Sequence, residues 1–148
     1  MVTLHFSVNI NASKEAVWEA LWNQKKYSDW AATFTEGTYV VTNDWEEGSK
    51  VHFLGPNGEG MHSLVHKHLP KEIMAFKHLG FVKDGKETPF DGDFEKWQGA
   101  MEIYTLRQNG NACNLKVSLD TDEAYKDYFN GTFPKALQRV KELSENTH

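Results

Sequence analysis

The chain has a single cysteine, Cys113, so no disulfide can close within it. It is also short of positive charge. Sixteen Lys and Arg face 21 Asp and Glu, a formal charge of −5, and no basic run is longer than Lys25 and Lys26. Such a balance repels phosphate-rich partners and argues against nucleic acid. No apolar stretch approaches the ~18 residues of a membrane-spanning helix. The opening residues, MVTLHFSVNINA, alternate apolar with polar and lack the continuous apolar core of a secretory leader. The expectation is a soluble, cytoplasmic protein, in which the sequons at Asn11 and Asn130 are incidental.

What the chain has in quantity is aromatic side chains: nine Phe, five Trp and five Tyr. Its 148 residues suit one domain spanning 1–148. A chain of that size buries about 70% of the surface its unfolded form exposes. The rings therefore either fill a thick core or line a cavity, and composition does not choose between the two.

Along the chain, Val2, Leu4, Phe6, Val8 and Ile10 alternate with polar residues, the period of a strand with one buried face. Ser13 offers an N-cap to a helix that places Val17, Leu21, Trp18 and Trp22 on one side. NQKKYSDW predicts a second short helix with Tyr27 and Trp30 turned inward. Strands follow over 37–44, 50–54, 61–69, 73–81, 99–107 and 112–119, with hairpin signals at GPNG and QNGN. The segment VKDGKETPFDGDFEKW has neither period and reads as a long, mobile loop. A cap at Asp120-Thr-Asp-Glu opens a helix running to about residue 146, with a break or sharp kink expected between Gly131 and Pro134. The order of elements is that of an α+β domain, an antiparallel sheet wrapping one long helix.

The stretch HSLVHKHLP holds His62, His66 and His68. Residues i and i+2 of a strand share a face about 6.6–6.8 Å apart, which would let His66 and His68 chelate a metal. A three-residue loop at Gly55–Glu59 with a left-handed Gly58 sets Phe53 opposite Met61 and Val51 opposite Ser63. Val51, Phe53, Met61 and Val65 then form the inner face. Lys50, His52, His62, Leu64, His66 and His68 form the outer one, read as a solvated face, with adventitious metal binding as the alternative and no catalytic metal expected.

The QNGN turn, placed at Asn109-Gly110, sets Leu106 opposite Cys113, Tyr104 opposite Leu115, Glu102 opposite Val117 and Ala100 opposite Leu119. Glu102 and Tyr104 then share a face with Val and Leu. An ionised carboxylate there is costly without a partner, so either the interior holds water or a ligand, or Glu102 sits at the rim. With a turn at Pro70-Lys71, Met74, Phe76 and His78 join Ser63 and Val65 on the inner face. An inward His78 is a hydrogen-bonded core residue or an acid–base group.

NASKEAVWEALWNQKKYSDW, EEGSKVHF, LVHKHLPKEIMAF, WQGAMEIYTLRQNGNACNLKVSLD and the closing ALQRVKELSEN together resemble the START-like, or SRPBCC, superfamily. Within it the chain is most similar to the branch of the activator of the ninety-kilodalton heat-shock protein ATPase. The resemblance covers nearly the whole chain. It implies a helix-grip fold: a seven-stranded antiparallel curved sheet around a long C-terminal helix, two short helices between strands 1 and 2, and a cavity that in relatives takes hydrophobic molecules.

The leading expectation is a noncatalytic binder of an unidentified hydrophobic or aromatic small molecule or lipid, with no cofactor and no metal. The candidate ligand-binding residues are Trp30, Phe53, Ser63, Met74, Phe76, His78, Glu102, Tyr104, Phe129, Phe133 and Leu137. One alternative is a cyclase- or hydrolase-type enzyme in which Glu102 or His78 moves a proton and Tyr104 orients the substrate. Another is a chaperone-interaction module. A monomer or weak dimer is expected.

Overall fold

The alternating N-terminal residues form an edge strand, β1 (Val2–Ile10), in a computed structural model that describes residues 1–146. The chain continues as α1 (Lys14–Trp22), α2 (Gln24–Ala31), β2 (Tyr39–Thr42), β3 (Lys50–Leu54), β4 (Gly60–Leu69) and β5 (Ile73–Lys83). It closes with β6 (Lys86–Pro89), a 3-10 turn (Gly92–Trp97), β7 (Met101–Asn109), β8 (Ala112–Thr121), a shorter 3-10 turn (Glu123–Tyr125) and α3 (Lys126–Glu145). Seven antiparallel strands lie in the order β1-β8-β7-β5-β4-β3-β2, and β6 adds an eighth by pairing with the far end of β5.

Local chemistry starts the two short helices. Ser13 Oγ accepts from the Ala16 N–H at 3.1 Å, and Asn23 Oδ1 accepts from the N–H groups of Lys25 and Lys26 at 3.1 and 3.2 Å. Both bury the predicted side chains: Val17, Leu21 and Trp22 from α1, Tyr27 and Trp30 from α2. α3 lies across β1 and α1, with Phe133, Ala136, Leu137 and Val140 inward.

The β3–β4 hairpin has the expected register, Val51↔Ser63 and Phe53↔Met61, around a left-handed Gly58 at φ +79°. The β7–β8 hairpin does not. Its tip is Gly110-Asn111 between Asn109 and Ala112, so Glu102 faces Leu119, Tyr104 faces Val117 and Leu106 faces Leu115. Gly110, at φ +62°, takes the first loop position. Moving the turn by one residue shifts the pairing by two, which leaves every side chain on its expected face.

Three further expectations are corrected. The segment read as a loop contains β6 and the 3-10 turn, held by a small second core of Phe90, Trp97 and Ala100 with Met61 and Phe81. α3 begins at Lys126 and not at the Asp120 cap. Asp120 stays in β8, its carboxylate accepting from Thr3 Oγ1 at 2.7 Å and the Met101 N–H at 3.0 Å, while Asp122 caps the preceding 3-10 turn. The helix also runs unbroken through Pro134. Pro134 and Asn130 are both exposed, so the carbonyl deprived of its N–H partner faces water.

Candidate functional site

Between α2, the N-terminal half of α3 and the concave face of the sheet lies a cavity of about 620 Å³. Trp30 and Ala31 come from α2, Phe34 from the segment after it, and Phe129 and Phe133 from α3; Phe53, His78, Glu102, Tyr104 and Leu119 come from the sheet. Trp97, at the end of the 3-10 turn, closes one side, and Asn57, Glu59 and Lys83 mark the mouth. The ring of Phe34 meets Phe133 edge-on at 5.0 Å, and Phe133 stacks on Phe6 at 4.9 Å. These contacts fix the wall formed by α3.

One end of the cavity is polar, and four side chains from three neighbouring strands form a chain there. Ser63 Oγ lies 2.7 Å from His78 Nδ1, His78 Nε2 lies 3.5 Å from Glu102 Oε1, and the Tyr104 hydroxyl donates to Glu102 Oε2 at 2.5 Å. The order follows from register: Ser63 pairs with His78 across β4–β5, and Phe76 with Glu102 across β5–β7. With a carboxylate on its Nε2 side, His78 carries its hydrogen there and accepts from Ser63 at Nδ1. Burial and the Glu102 charge push the Tyr27 and Tyr104 phenols well above their ordinary range, so both remain hydroxyls.

Of the candidate residues, Trp30, Phe53, His78, Glu102, Tyr104, Phe129 and Phe133 line this space. Ser63, Met74, Phe76 and Leu137 do not. Ser63 is fully buried behind His78, Met74 and Phe76 are enclosed by the aromatic cluster near α1, and Leu137 packs in the solid half of α3. Sequence reasoning had turned Tyr27 inward without placing it at the site. It missed Phe34 and Trp97, because one follows a helix end and the other lay in a stretch without periodicity.

The histidines divide unexpectedly. His52 and His62 face outward with Lys50, but a β-bulge between Val65 and Lys67 turns His68 to the inner side. There its Nδ1 donates to the Trp45 carbonyl at 2.8 Å and its ring packs 5.8 Å from Trp18. His66 and His68 therefore do not share a face. The carboxylate across from the outer pair is Glu87 of β6, 2.8 Å from Lys50 Nζ and 2.7 Å from His52 Nε2, which depress its pKa to about 2. Gly80 makes room, since a Cβ there would lie 2.1 Å from the Thr88 carbonyl and 2.8 Å from the His62 ring.

No family model matches the chain, and no curated protein matches it. Solved structures do. The Aha1 dimer of Colwellia psychrerythraea superposes with a TM-score of 0.71 at 20% identity, covering 99% of this chain and 98% of that one. A protein of Cytophaga hutchinsonii gives 0.73 at 19% identity, over 99% and 95%. DynU16, from the dynemicin biosynthetic locus, gives 0.69 at 15% identity over 97% of this chain and 47% of its own. At such identities the likeness is one of fold. With its curved antiparallel sheet, paired short helices and long closing helix, the chain has the START-like helix-grip fold.

Proposed function

We propose that the protein binds one hydrophobic or aromatic small molecule in the cavity between sheet and α3, without transforming it. The observation that supports this most is the cavity itself: about 620 Å³, walled by rings, with a few polar groups gathered at one end. That size and that uneven distribution of polarity are usual for small-molecule sites, which fall at roughly 300–1,000 Å³. Were the rings only core filler, their side chains would interdigitate and leave few voids larger than a water molecule.

Titration with N-phenyl-1-naphthylamine, a dye that brightens in apolar surroundings, tests the proposal. Saturable one-to-one binding is expected, and dye at 100 times its Kd stabilises the fold by about 2.7 kcal/mol. Fluorescence that never saturates, together with an unshifted melting temperature, refutes it.

One observation favours a second function: the run Ser63–His78–Glu102–Tyr104 resembles a proton path opening on a cavity. For proton-transfer chemistry, Glu102 or His78 would take a proton from a bound substrate, Ser63 holding the imidazole and Tyr104 the carboxylate. Glu102→Gln would then abolish turnover while leaving dye binding intact. Turnover unchanged by Glu102→Gln removes Glu102 from proton transfer, and turnover unchanged by His78→Asn as well removes the enzymatic use of this proton path.

A further inference from the structure

We infer that the ligand is an organic cation, a protonated amine carried on an aromatic or aliphatic body. This rests on the binding role proposed above and narrows the chemical class that the same cavity takes.

The decisive group is Glu102, whose side chain is 20% exposed and whose carboxylate opens onto the cavity. An ionised carboxylate can accept about four hydrogen bonds. Here Oε2 has one close donor, the Tyr104 hydroxyl, and Oε1 has only His78 Nε2 at 3.5 Å. Among the described residues no Lys or Arg pairs with it, while other carboxylates of the chain, including Asp29, Glu87, Asp122 and Glu145, each have such a partner. A carboxylate facing an apolar space without a cation is a costly arrangement, and a cation delivered by the ligand relieves it.

The surroundings agree. Tyr27, Trp30 and Phe53 border the same space, and aromatic faces attract cations through their quadrupoles. The Tyr27 hydroxyl makes no hydrogen bond to a described residue and is free to accept from an ammonium or to donate to an adjacent polar atom. Donors that would welcome an anion are scarce at this end: the indole N–H of Trp97, though unpaired, has no surface exposed to the cavity, and His78 is already engaged with Ser63 and Glu102. The one lysine of the lining, Lys83, is at the mouth, its Nζ 4.8 Å above the Phe81 ring. A buried ligand carboxylate would meet the Glu102 charge instead.

Calorimetric titration with four molecules of one body tests this: 2-(2-naphthyl)ethylamine, 2-(2-naphthyl)ethanol, 2-naphthylacetate and 2-ethylnaphthalene. The amine is expected to bind at least about tenfold tighter than the other three, equivalent to ~1.4 kcal/mol. Glu102→Gln is expected to erase that preference while retaining ethylnaphthalene. Should Glu102→Gln fail to fold, Tyr104→Phe frees Oε2 and is expected to keep or widen the preference; its disappearance there overturns the inference. Equal binding of all four, or tighter binding of the acetate or the alcohol, overturns the amine class and leaves the cavity's binding role standing. Binding of none of the four overturns both.

Discussion

Ala31→Leu decides whether the space between α2 and α3 is real. Ala31 is the last residue of α2, 2% exposed, and lines the cavity. Leucine adds three carbons there, and at ~0.8 kcal/mol per buried methylene the gain has a ceiling of about 2.4 kcal/mol. Fixing the new side chain costs about 0.5–1 kcal/mol, and alanine and leucine differ little in helix propensity. A net stabilisation of about 1.5 kcal/mol follows. For a chain of this length that raises the melting temperature by roughly 3–6 °C. In a filled core the same change would overpack and cost about 1–3 kcal/mol, so the sign alone discriminates. Thermal unfolding followed by far-UV circular dichroism reads the stability, and dye titration reads the binding, which should weaken as the volume shrinks. Destabilisation of 1 kcal/mol or more would refute both the cavity and the function assigned to it.

Other substitutions test the frame. Pro134→Ala restores an N–H in the middle of α3 and should stabilise by about 2 kcal/mol, read from the urea midpoint at unchanged slope; the exposed ring loses no packing. Ser13→Ala removes the α1 cap and should cost about 1 kcal/mol in the same assay. Glu87 has a folded pKa depressed to about 2 from 4.5, so the stability it confers is present above pH ~4.5 and fades as pH falls toward 2. The stability gap between wild type and Glu87→Gln should therefore close across that window, and a gap unchanged at pH 2 would contradict the pairing with Lys50 and His52. Burial pushes the Cys113 thiol up, so iodoacetamide should label it far more slowly in buffer than in urea.

Much of this architecture is legible in the chain because most strands keep period two and most turns carry their own chemistry. β1, the Ser13 cap and the left-handed Gly58 each follow from side chains within a few residues. The inner face of β7 survives a misplaced turn because a two-residue shift in pairing preserves parity. What escapes is chemistry that depends on distant partners. The bulge at His66 has no local marker, so His68 reads as outward when it packs against Trp18 and Trp45. Trp45 itself sits at φ +56°, an unusual conformation for a bulky side chain. It is held there by an indole N–H donated to the Trp22 carbonyl at 2.8 Å, a contact across 23 residues that no pattern announces. β6 is four residues long with exposed ends, too short to display a period. The candidate site was half legible for the same reason: its strand residues follow from parity, whereas Phe34 and Trp97 are placed by how whole segments pack.

The distribution of side-chain size along α3 explains why the interior is solid at one end and hollow at the other. From Ala136 onward the buried residues are the smaller Ala136, Leu137, Val140 and Ser144, and the helix packs on β1 and α1. Toward the N-terminus the inward residues are Phe129 and Phe133, with Tyr128 beside them donating its hydroxyl to the Phe34 carbonyl at 3.3 Å. These rings contact one another and Phe34, and Phe133 stacks on Phe6 of β1, so together they brace one wall of the cavity. Two classes of substitution should therefore separate. Leu137→Ala leaves a void in a packed region and should cost about 2–5 kcal/mol with ligand affinity nearly intact. Phe129→Ala removes a half-buried ring from a cavity wall, so it should cost less stability and more affinity. If both substitutions instead lowered stability equally and left dye binding alone, α3 would be a uniform core helix and the hollow end would have no functional meaning.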